Sequence, residues 1–175
     1  MDVAQAIQMK RAVRSFAPDP LPEQVLQEIL NAGRRAQSAK NRQAWHFLLI
    51  RDHGTLAALS KLGTYAGHIA GAAAAVAILT PDPDDRWSIM FDAGQAAAYM
   101  QLAAWELGIG SCPATIYQSD EARELLGFPA DLHLRAVLSF GYPADTGELT
   151  APPHPGGRKA LTTVVSYERW QDLKS

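Results

Sequence analysis

The stretch "SIMFDAGQAAAYMQLAAWELG", residues 88–108, decides the class of fold. Apolar and small residues fill most of its positions, and no charged residue occurs between Asp92 and Glu106. A helix that is apolar on nearly every side belongs in a protein interior, and Gly108 supplies a C′ residue that ends it. The pattern predicts a long helix over residues 88–107 that is buried almost all round. Asp92, early in this helix, is expected to interact with the helix dipole.

Apolar segments on both sides of this helix predict strands, because they are short, continuous and bounded by turn residues. They cover residues 45–51, 73–79 and 134–143, and the segment after the long helix reads as a strand followed by a loop. Further helices are predicted after Asp2, from Pro22 to about Arg35, and in the short segment "SDEARELLG" (119–127). Strands separated by helices around a central helix indicate an α+β or α/β fold. With no internal repeat, residues 1–175 are expected to form a single domain.

The composition excludes several classes of function. The chain has 175 residues, 47% hydrophobic and 19% charged, with a net charge of −2, which argues against a general nucleic-acid-binding protein. A single cysteine, Cys112, excludes an internal disulfide and a Cys-rich zinc site, and the histidines lack metal-ligand spacing, so no metal is predicted. The longest apolar run is too short to span a bilayer, and the first residues lack the layout of a signal peptide. A cytoplasmic protein without membrane or nucleic-acid partners is expected.

The basic stretch "KRAVRSF", residues 10–16, raises a question of ligand binding. It carries Lys10, Arg11 and Arg14, and the two arginines are three positions apart at a predicted helix end, so they project to the same side. A phosphate ester prefers such guanidinium donors. Short basic clusters are also common on solvated faces. From these residues alone, a solvated face and a phosphate site both remain open.

Further segments, taken in chain order, give the basic stretch a context. They are "ILNAGRRAQSAKNRQAWHFLLI" (29–50), "ELGIGSC" (106–112), "GYP" (141–143) and "GGRKALTTVVSYERW" (156–170). Together with the basic stretch, they resemble the nitroreductase family of FMN-dependent oxidoreductases over nearly the whole chain. The resemblance implies an α+β fold in which a central mixed sheet is flanked by helices around a long buried helix. It also implies a domain-swapped homodimer with its flavin sites at the subunit interface.

The resemblance also makes the C-terminal tail intelligible. After the last predicted strand, the chain runs through "DTGELTAPPHPGG" (145–157), which is rich in turn-forming residues, and then becomes apolar again. An apolar arm that follows such a linker must pack on something. Residues 144–175 are therefore expected to form an extension that packs on the partner subunit.

The resemblance assigns candidate FMN-binding residues position by position. Around the phosphate and the ribityl chain it places Lys10, Arg11, the Ala12 backbone and Arg14, with Arg158 and Lys159 approaching from the tail. From the other subunit it brings Arg35, Ser38, Ala39, Asn41 and Gln43. It also implies that Pro113, Ala114, Thr115 and Ile116 run past the flavin ring, and the backbone N–H groups of this segment are expected to bond to the ring. No side chain is predicted to be catalytic, because the flavin carries the chemistry.

The implied activity is electron transfer from NADH or NADPH, through FMN, to a nitroaromatic, quinone or similar conjugated small-molecule acceptor in a ping-pong cycle. Two alternatives stay open: a different flavin reaction on the same fold (dehydrogenation, dehalogenation or flavin fragmentation), and a flavin or nucleotide sensor without turnover. Departures from the family pattern motivate the sensor, since Lys10 replaces an arginine and Ala12 a serine. Gln37 and Ala44 likewise stand where prolines are common.

Overall fold

The computed structural model describes residues 2–152 and 157–170, apart from the side chain of Asp85. Parts of the predicted C-terminal extension, residues 153–156 and 171–175, therefore lie outside the described residues. The helices are α1 (Val3–Met9), α2 (Glu23–Arg34), α3 (His53–Leu59), α4 (Ser88–Glu106) and α5 (Ser119–Leu126). The strands are β1 (His46–Ile50), β2 (Ala74–Thr80), β3 (Gly110–Ala114) and β4 (His133–Gly141). The α+β class is confirmed.

The sheet has the strand order β1–β2–β4–β3, and every neighbouring pair is antiparallel. A mixed sheet was the expectation. Parallel pairing within the described residues is limited to a single bridge between Ala12 and Ser111, at the outer edge of β3. The reason lies in the connections: β4 inserts between β2 and β3, so the crossover through α4 never joins adjacent parallel strands.

The two faces of the sheet carry separate hydrophobic cores, because side chains alternate along each strand. One core packs α2 and α4 against residues such as Val76, Leu138 and Phe140. The other packs α3, α5 and the 3₁₀ turn at Gly67–Gly71 against Ala77 and Val137. α4 lies on the first face, and this places its ends beside the loops that carry the predicted site.

The long helix matches its predicted span but not its predicted burial. Ala93, Ala96, Met100 and Ala104 are buried against the sheet and α2. The opposite face is solvent-exposed in the single chain and includes Phe91, whose exposed fraction is 63%. The prediction of burial all round is therefore wrong for one chain, since composition shows that a face is apolar but not what covers it. Among the described residues, no helix combines the length and the hydropathy that a bilayer crossing requires.

Candidate functional site

Lys10 follows α1 and is turned inward, toward α4. Its ammonium group donates a hydrogen bond to the side-chain oxygen of Gln101, which is only 8% exposed. The Gln101 amide in turn donates to the carbonyl of Ala97, at 3.2 Å. Asp2 begins α1 as predicted, through a capping box with Gln5. The buried glutamine therefore fixes the first predicted cation in place.

The charges of Lys10, Arg14 and Arg158 act on one small region. Burial, and more weakly the charge of Arg158, lower the pKa of Lys10, while the neighbouring Cys112 acts in the opposite direction. Burial raises the pKa of Cys112, and the charges of Arg14 and Lys10 oppose this shift. Within the described ranges, no carboxylate is ion-paired with any of the three cations. Cations from opposite ends of the sequence thus act on the same lysine and thiol, and none of them is ion-paired with a carboxylate in the part of the chain that the structure describes.

Arg11 and Ala12 fasten this region to its surroundings. The Arg11 guanidinium donates to the carbonyl oxygens of Ala151, at the start of the tail, and of Met9, at 3.4 Å. Ala12 bridges to Ser111 of β3, whose carbonyl accepts the amide of Val13 at 3.0 Å. The cationic segment therefore runs along the outer edge of β3, with Arg11 directed at the tail.

The segment 113–116 leaves β3 at the same edge. Pro113 and Thr115 are exposed, whereas Ala114 and Ile116 are buried. Because Pro113 has no N–H, only the three residues that follow it could supply the predicted backbone donors. The segment is clamped at its end, since the carbonyl of Leu62 accepts the amides of Tyr117 and Gln118 at 3.0 and 3.2 Å.

A series of hydrogen bonds links His68, Ser139 and the carbonyl of Cys112 beside β3. The Ser139 hydroxyl donates to the carbonyl of Cys112 at 3.2 Å and lies 2.8 Å from Nδ1 of His68. Since the single hydroxyl proton is used in the first bond, Nδ1 of His68 carries its own proton and donates to Ser139. Burial and the charge of Arg14 lower the pKa of His68. The imidazole is therefore held neutral beside the cations.

The second predicted group lies on the loop between α2 and β1. Ala39–Asn41 forms a 3₁₀ turn, and three residues without a glycine's freedom have positive φ: Lys40 (55°), Asn41 (52°) and Gln43 (50°). The Ser38 hydroxyl accepts the amide of Gln43 at 2.9 Å. Such backbone persists only when its surroundings impose it. Asn41 and Gln43 keep exposed side chains.

Asp92 is the part of those surroundings that sequence reasoning missed. Its carboxylate accepts a hydrogen bond from the backbone amide of Ala39 at 3.0 Å, and Asp92 is only 5% exposed. Nearby, the Gln95 amide reaches the carbonyl of Gln37 at 3.4 Å. The expected interaction with the helix dipole did not anticipate this tertiary bond. A buried acid in an apolar helix was the available signal.

The structure separates the two predicted groups within one chain. Lys10 meets α4 at Gln101, and the loop 38–43 meets α4 at Asp92. Positions 92 and 101 are separated by about two and a half turns, so they face opposite sides and lie about 13 Å apart along the axis. One chain therefore does not bring its own loop 38–43 and its own Lys10 together on one side of the helix.

Two predicted residues make few contacts. Arg35 is exposed at the end of α2, where its backbone amide is bonded to the carbonyls of Asn31 and Ala32. Lys159 is exposed in the tail beside Arg158, whose guanidinium donates to the carbonyl of Gly157 at 2.9 Å. Among the described residues, no hydrogen bond or ion pair holds the side chain of Arg35 or of Lys159.

The residues present fit a phosphorylated cofactor better than a metal. Half-buried and exposed cations without a paired carboxylate suit a dianionic ester, because mutual repulsion among them is relieved by an anion. Within the described part of the chain, no group of three or more His, Cys, Asp or Glu side chains is placed to hold a metal ion. A cleft of about 350 Å³ on the other face of the sheet, between His46 and Phe128, contains none of the predicted site residues.

Comparison with known proteins identifies the family of the chain. The model of the family described as "Nitroreductase family" matches residues 7–66 and 56–142. A relative from Archaeoglobus fulgidus, named provisionally as an NADH dehydrogenase/NAD(P)H nitroreductase, is 34% identical over 79% of this chain and 84% of its own length. An NADH dehydrogenase from Thermus thermophilus is 27% identical over 95% of this chain and 96% of its own.

A solved structure gives the same answer for the fold. The FMN-dependent nitroreductase from Clostridium difficile R20291 superposes with a TM-score of 0.76 and 27% identity, over 82% of this chain and 88% of that one. The resemblance inferred from the ordered motifs is confirmed by the family model and by these relatives. The chain belongs to the nitroreductase family.

Proposed function

We propose that this chain is one subunit of a homodimeric FMN enzyme that takes electrons from NADH or NADPH and delivers them to a nitroaromatic, quinone or similar conjugated acceptor. The observation that carries the proposal is that Lys10, Arg14 and Arg158 exert their charges on one region around Lys10 and Cys112, with no carboxylate ion-paired to them in the described ranges. The relatives' names, which refer to NAD(P)H and to FMN, support the donor and the cofactor. The single cysteine, free and buried, suits the cytoplasm that we propose as its location.

The cations serve to hold the phosphate of FMN. Lys10 is oriented by Gln101 and contributes a point charge, and Arg14 and Arg158 contribute planar donors that match phosphate oxygens. Arg11 ties the start of the tail to this region through the carbonyl of Ala151, and the charge of Arg158, further along the tail, acts on Lys10. The part of Arg11 in the site is thus to position the tail as well as to add charge.

The second half of each site comes from the partner subunit. In one chain, the loop 38–43 and Lys10 lie on opposite sides of α4, and the face between these sides is apolar and exposed. Burying this face against a second chain removes apolar area from water and lets a loop from one subunit approach the cations of the other. Further exposed apolar side chains are available to be buried in a dimer: Val3 and Ile7 on α1, and Leu161, Val164, Tyr167 and Trp170 in the tail.

The tail and the single-domain organisation follow from the same proposal. Residues 144–175 form an extension of the one domain, 1–175, and pack on the partner. The tail side chain of Tyr167 has an exposed fraction of 72% among the described residues, so a partner surface is needed to bury it. A second copy supplies this surface. No nucleic-acid partner is proposed.

When held by these residues, FMN would supply the redox chemistry between the nicotinamide and the acceptor. The chain's own part is to fix the ring and stabilise negative charge on it. Backbone donors among Ala114, Thr115 and Ile116 lie on a clamped segment at the edge of β3, and fixed donors of this kind favour a developing anion. Trp87 and Tyr65, both highly exposed, are candidates to line the acceptor side.

The experiment that tests the proposal is a visible spectrum of the purified protein, with and without added FMN, followed by anaerobic addition of NADH or NADPH. We expect a yellow protein that either nicotinamide bleaches and that a quinone reoxidises. A protein that stays colourless with FMN present would rule the proposal out. Bound flavin that neither nicotinamide bleaches would instead favour a sensor, and loss of the flavin itself during turnover would favour a fragmentation reaction.

A further inference from the structure

We infer that Asp92 is a positioning residue for the flavin site: its carboxylate holds the amide of Ala39 and so fixes the loop 38–43, which one chain presents to the flavin bound by its partner. The inference rests on the proposed function, because it assumes that FMN occupies the site. Asp92 itself does not touch the flavin. It acts through the backbone of the loop.

The bond between Asp92 and the loop is specific. Oδ2 of Asp92 accepts the Ala39 amide at 3.0 Å, and the residue is 5% exposed in a helix that carries no other charge until Glu106. A carboxylate buried among apolar neighbours is costly unless its hydrogen bonds compensate. Within the described residues, this carboxylate accepts its hydrogen bond from the loop amide of Ala39. The hydrogen bond therefore offsets the cost of burying the carboxylate and attaches the loop to α4.

The loop needs such a partner because its backbone is unfavourable on its own. Lys40, Asn41 and Gln43 all have positive φ, and lysine and glutamine rarely adopt it. The bond from the Gln43 amide to the Ser38 hydroxyl closes the loop on itself but does not attach it to the rest of the fold. Asp92 and the weaker contact from Gln95 are the attachments to α4.

The side of α4 on which Asp92 lies decides whose flavin it serves. Lys10 of the same chain meets α4 at Gln101, on the opposite side of the helix. A loop fixed by Asp92 is thus directed away from its own chain's Lys10. It can complete a site only with the cations of a second copy.

The first test uses variants that remove either end of the bond. Asp92→Leu keeps the approximate size of the side chain and removes the acceptor, and Asp92→Asn keeps an acceptor oxygen. Ala39→Pro removes the donor from the other side, at the first position of a 3₁₀ turn and after a residue, Ser38, with φ −142° and ψ 149°, which suits a following proline. As a matched control, Asp52→Ala removes a carboxylate that accepts a backbone amide at the start of α3, at 2.7 Å.

The readout is the dissociation constant for FMN, measured by fluorescence quenching on folded protein. We expect at least a tenfold increase for Asp92→Leu and for Ala39→Pro, no further increase when the two are combined, and a change below about threefold for Asp92→Asn and Asp52→Ala. Wild-type affinity in Asp92→Leu, or equal losses in Asp92→Asn and Asp92→Leu, would overturn the inference. Should Asp92→Leu fail to fold, Ala39→Pro and Asp92→Asn still decide it.

The second test separates a positioning role from a general loss of stability. A mixed dimer joins one subunit carrying Arg14→Ala to one carrying Asp92→Leu. If Asp92 serves the partner's flavin, both defects fall in the same site, and the dimer keeps one site of wild-type affinity. If it serves its own chain's flavin, each site carries one defect and no such site remains, which would contradict the inference. A wild-type protein that binds no FMN would refute the proposed function instead.

Discussion

Asp92 and Gln101 project from opposite sides of α4, and each holds a different half of the predicted flavin site. The side-chain oxygen of Gln101 accepts a hydrogen bond from the ammonium group of Lys10, and the carboxylate of Asp92 accepts one from the backbone amide of Ala39. Within one chain, α4 therefore lies between Lys10 and the loop 38–43 and keeps them apart. Its exposed apolar face, between the two sides, is where a second chain would bring the halves together.

Removing a phosphate-binding cation should weaken FMN binding without unfolding the protein. Arg14→Ala and Arg158→Ala should each cost about 1.5–3 kcal/mol of binding free energy, because each removes a charge-assisted hydrogen bond. This corresponds to a dissociation constant raised roughly ten- to a hundredfold. Fluorescence titration with FMN measures it. Arg51→Ala is the control, since Arg51 is an exposed arginine paired with Glu23 at 2.7 Å, away from the site.

Alkaline pH should weaken FMN binding, beginning below the ordinary pKa of a lysine. Burial, and then the charge of Arg158, lower the pKa of Lys10 in the free protein. A bound dianion favours the charged amine and raises this pKa again, so affinity is greatest while Lys10 is charged and falls as pH rises through its lowered pKa. Titrations with FMN at successive pH values measure the decline.

The stability of the FMN-free protein should follow pH in the opposite direction. Because the folded-state pKa of Lys10 is lower than the unfolded-state value, the unfolded chain binds this proton more tightly, and the Lys10 contribution to stability rises with pH between the two values. Lys10→Met should remove this component from both profiles, and Arg158→Ala should move it to higher pH. Profiles that are identical in Lys10→Met and wild type would show that another group titrates.

Introducing a charge on the exposed face of α4 should break the dimer. Phe91 is 63% exposed in the single chain, and a glutamate there would be buried without a partner in the dimer. We expect Phe91→Glu to be monomeric at concentrations where the wild type is dimeric, and to lose FMN at the same time. Light scattering after size exclusion, with the visible spectrum, records both. Leu125→Glu, on exposed α5, should change neither; a dimeric Phe91→Glu that retains FMN would argue against this face.

Substituting Gly63 should disturb the segment 113–116, which we propose borders the flavin. A Cβ there would lie 2.3 Å from the carbonyl oxygen of Thr115, which is backbone and cannot turn away. Gly63→Ala should therefore lower stability by about 1–3 kcal/mol and shift the flavin absorption or reduction potential. Gly67→Ala is the control, because a Cβ at Gly67 meets no atom within 4 Å. An unchanged flavin spectrum in Gly63→Ala would place the ring away from Thr115.

Elements with a strong pattern were predictable from the sequence, and weakly patterned ones were not. The span of α4 was expected at 88–107 and is Ser88–Glu106, since nothing in it interrupts a helix before Gly108. α3 was not predicted, because its seven residues bury only Leu56 and Leu59. Its signal is local: Asp52 caps it by accepting the amide and the hydroxyl of Thr55.

The candidate site was predictable in its residue types but not in its geometry. Motif order led to Lys10, Arg14 and the loop 38–43. The supports Gln101 and Asp92 are tertiary contacts between segments distant in sequence, and a side chain's distant partner leaves no trace in local spacing. The exposed apolar face of α4 was misjudged for the same reason, because hydrophobicity does not distinguish burial in a core from burial against a second chain.

The most direct test of the central claim is a crystal structure of the protein grown with FMN. We predict that the FMN phosphate contacts Lys10, Arg14 and Arg158 of one chain, while the loop 38–43 of the other chain borders the isoalloxazine. A flavin phosphate distant from those cations, or a loop and cations contributed to one flavin by the same chain, would contradict this prediction.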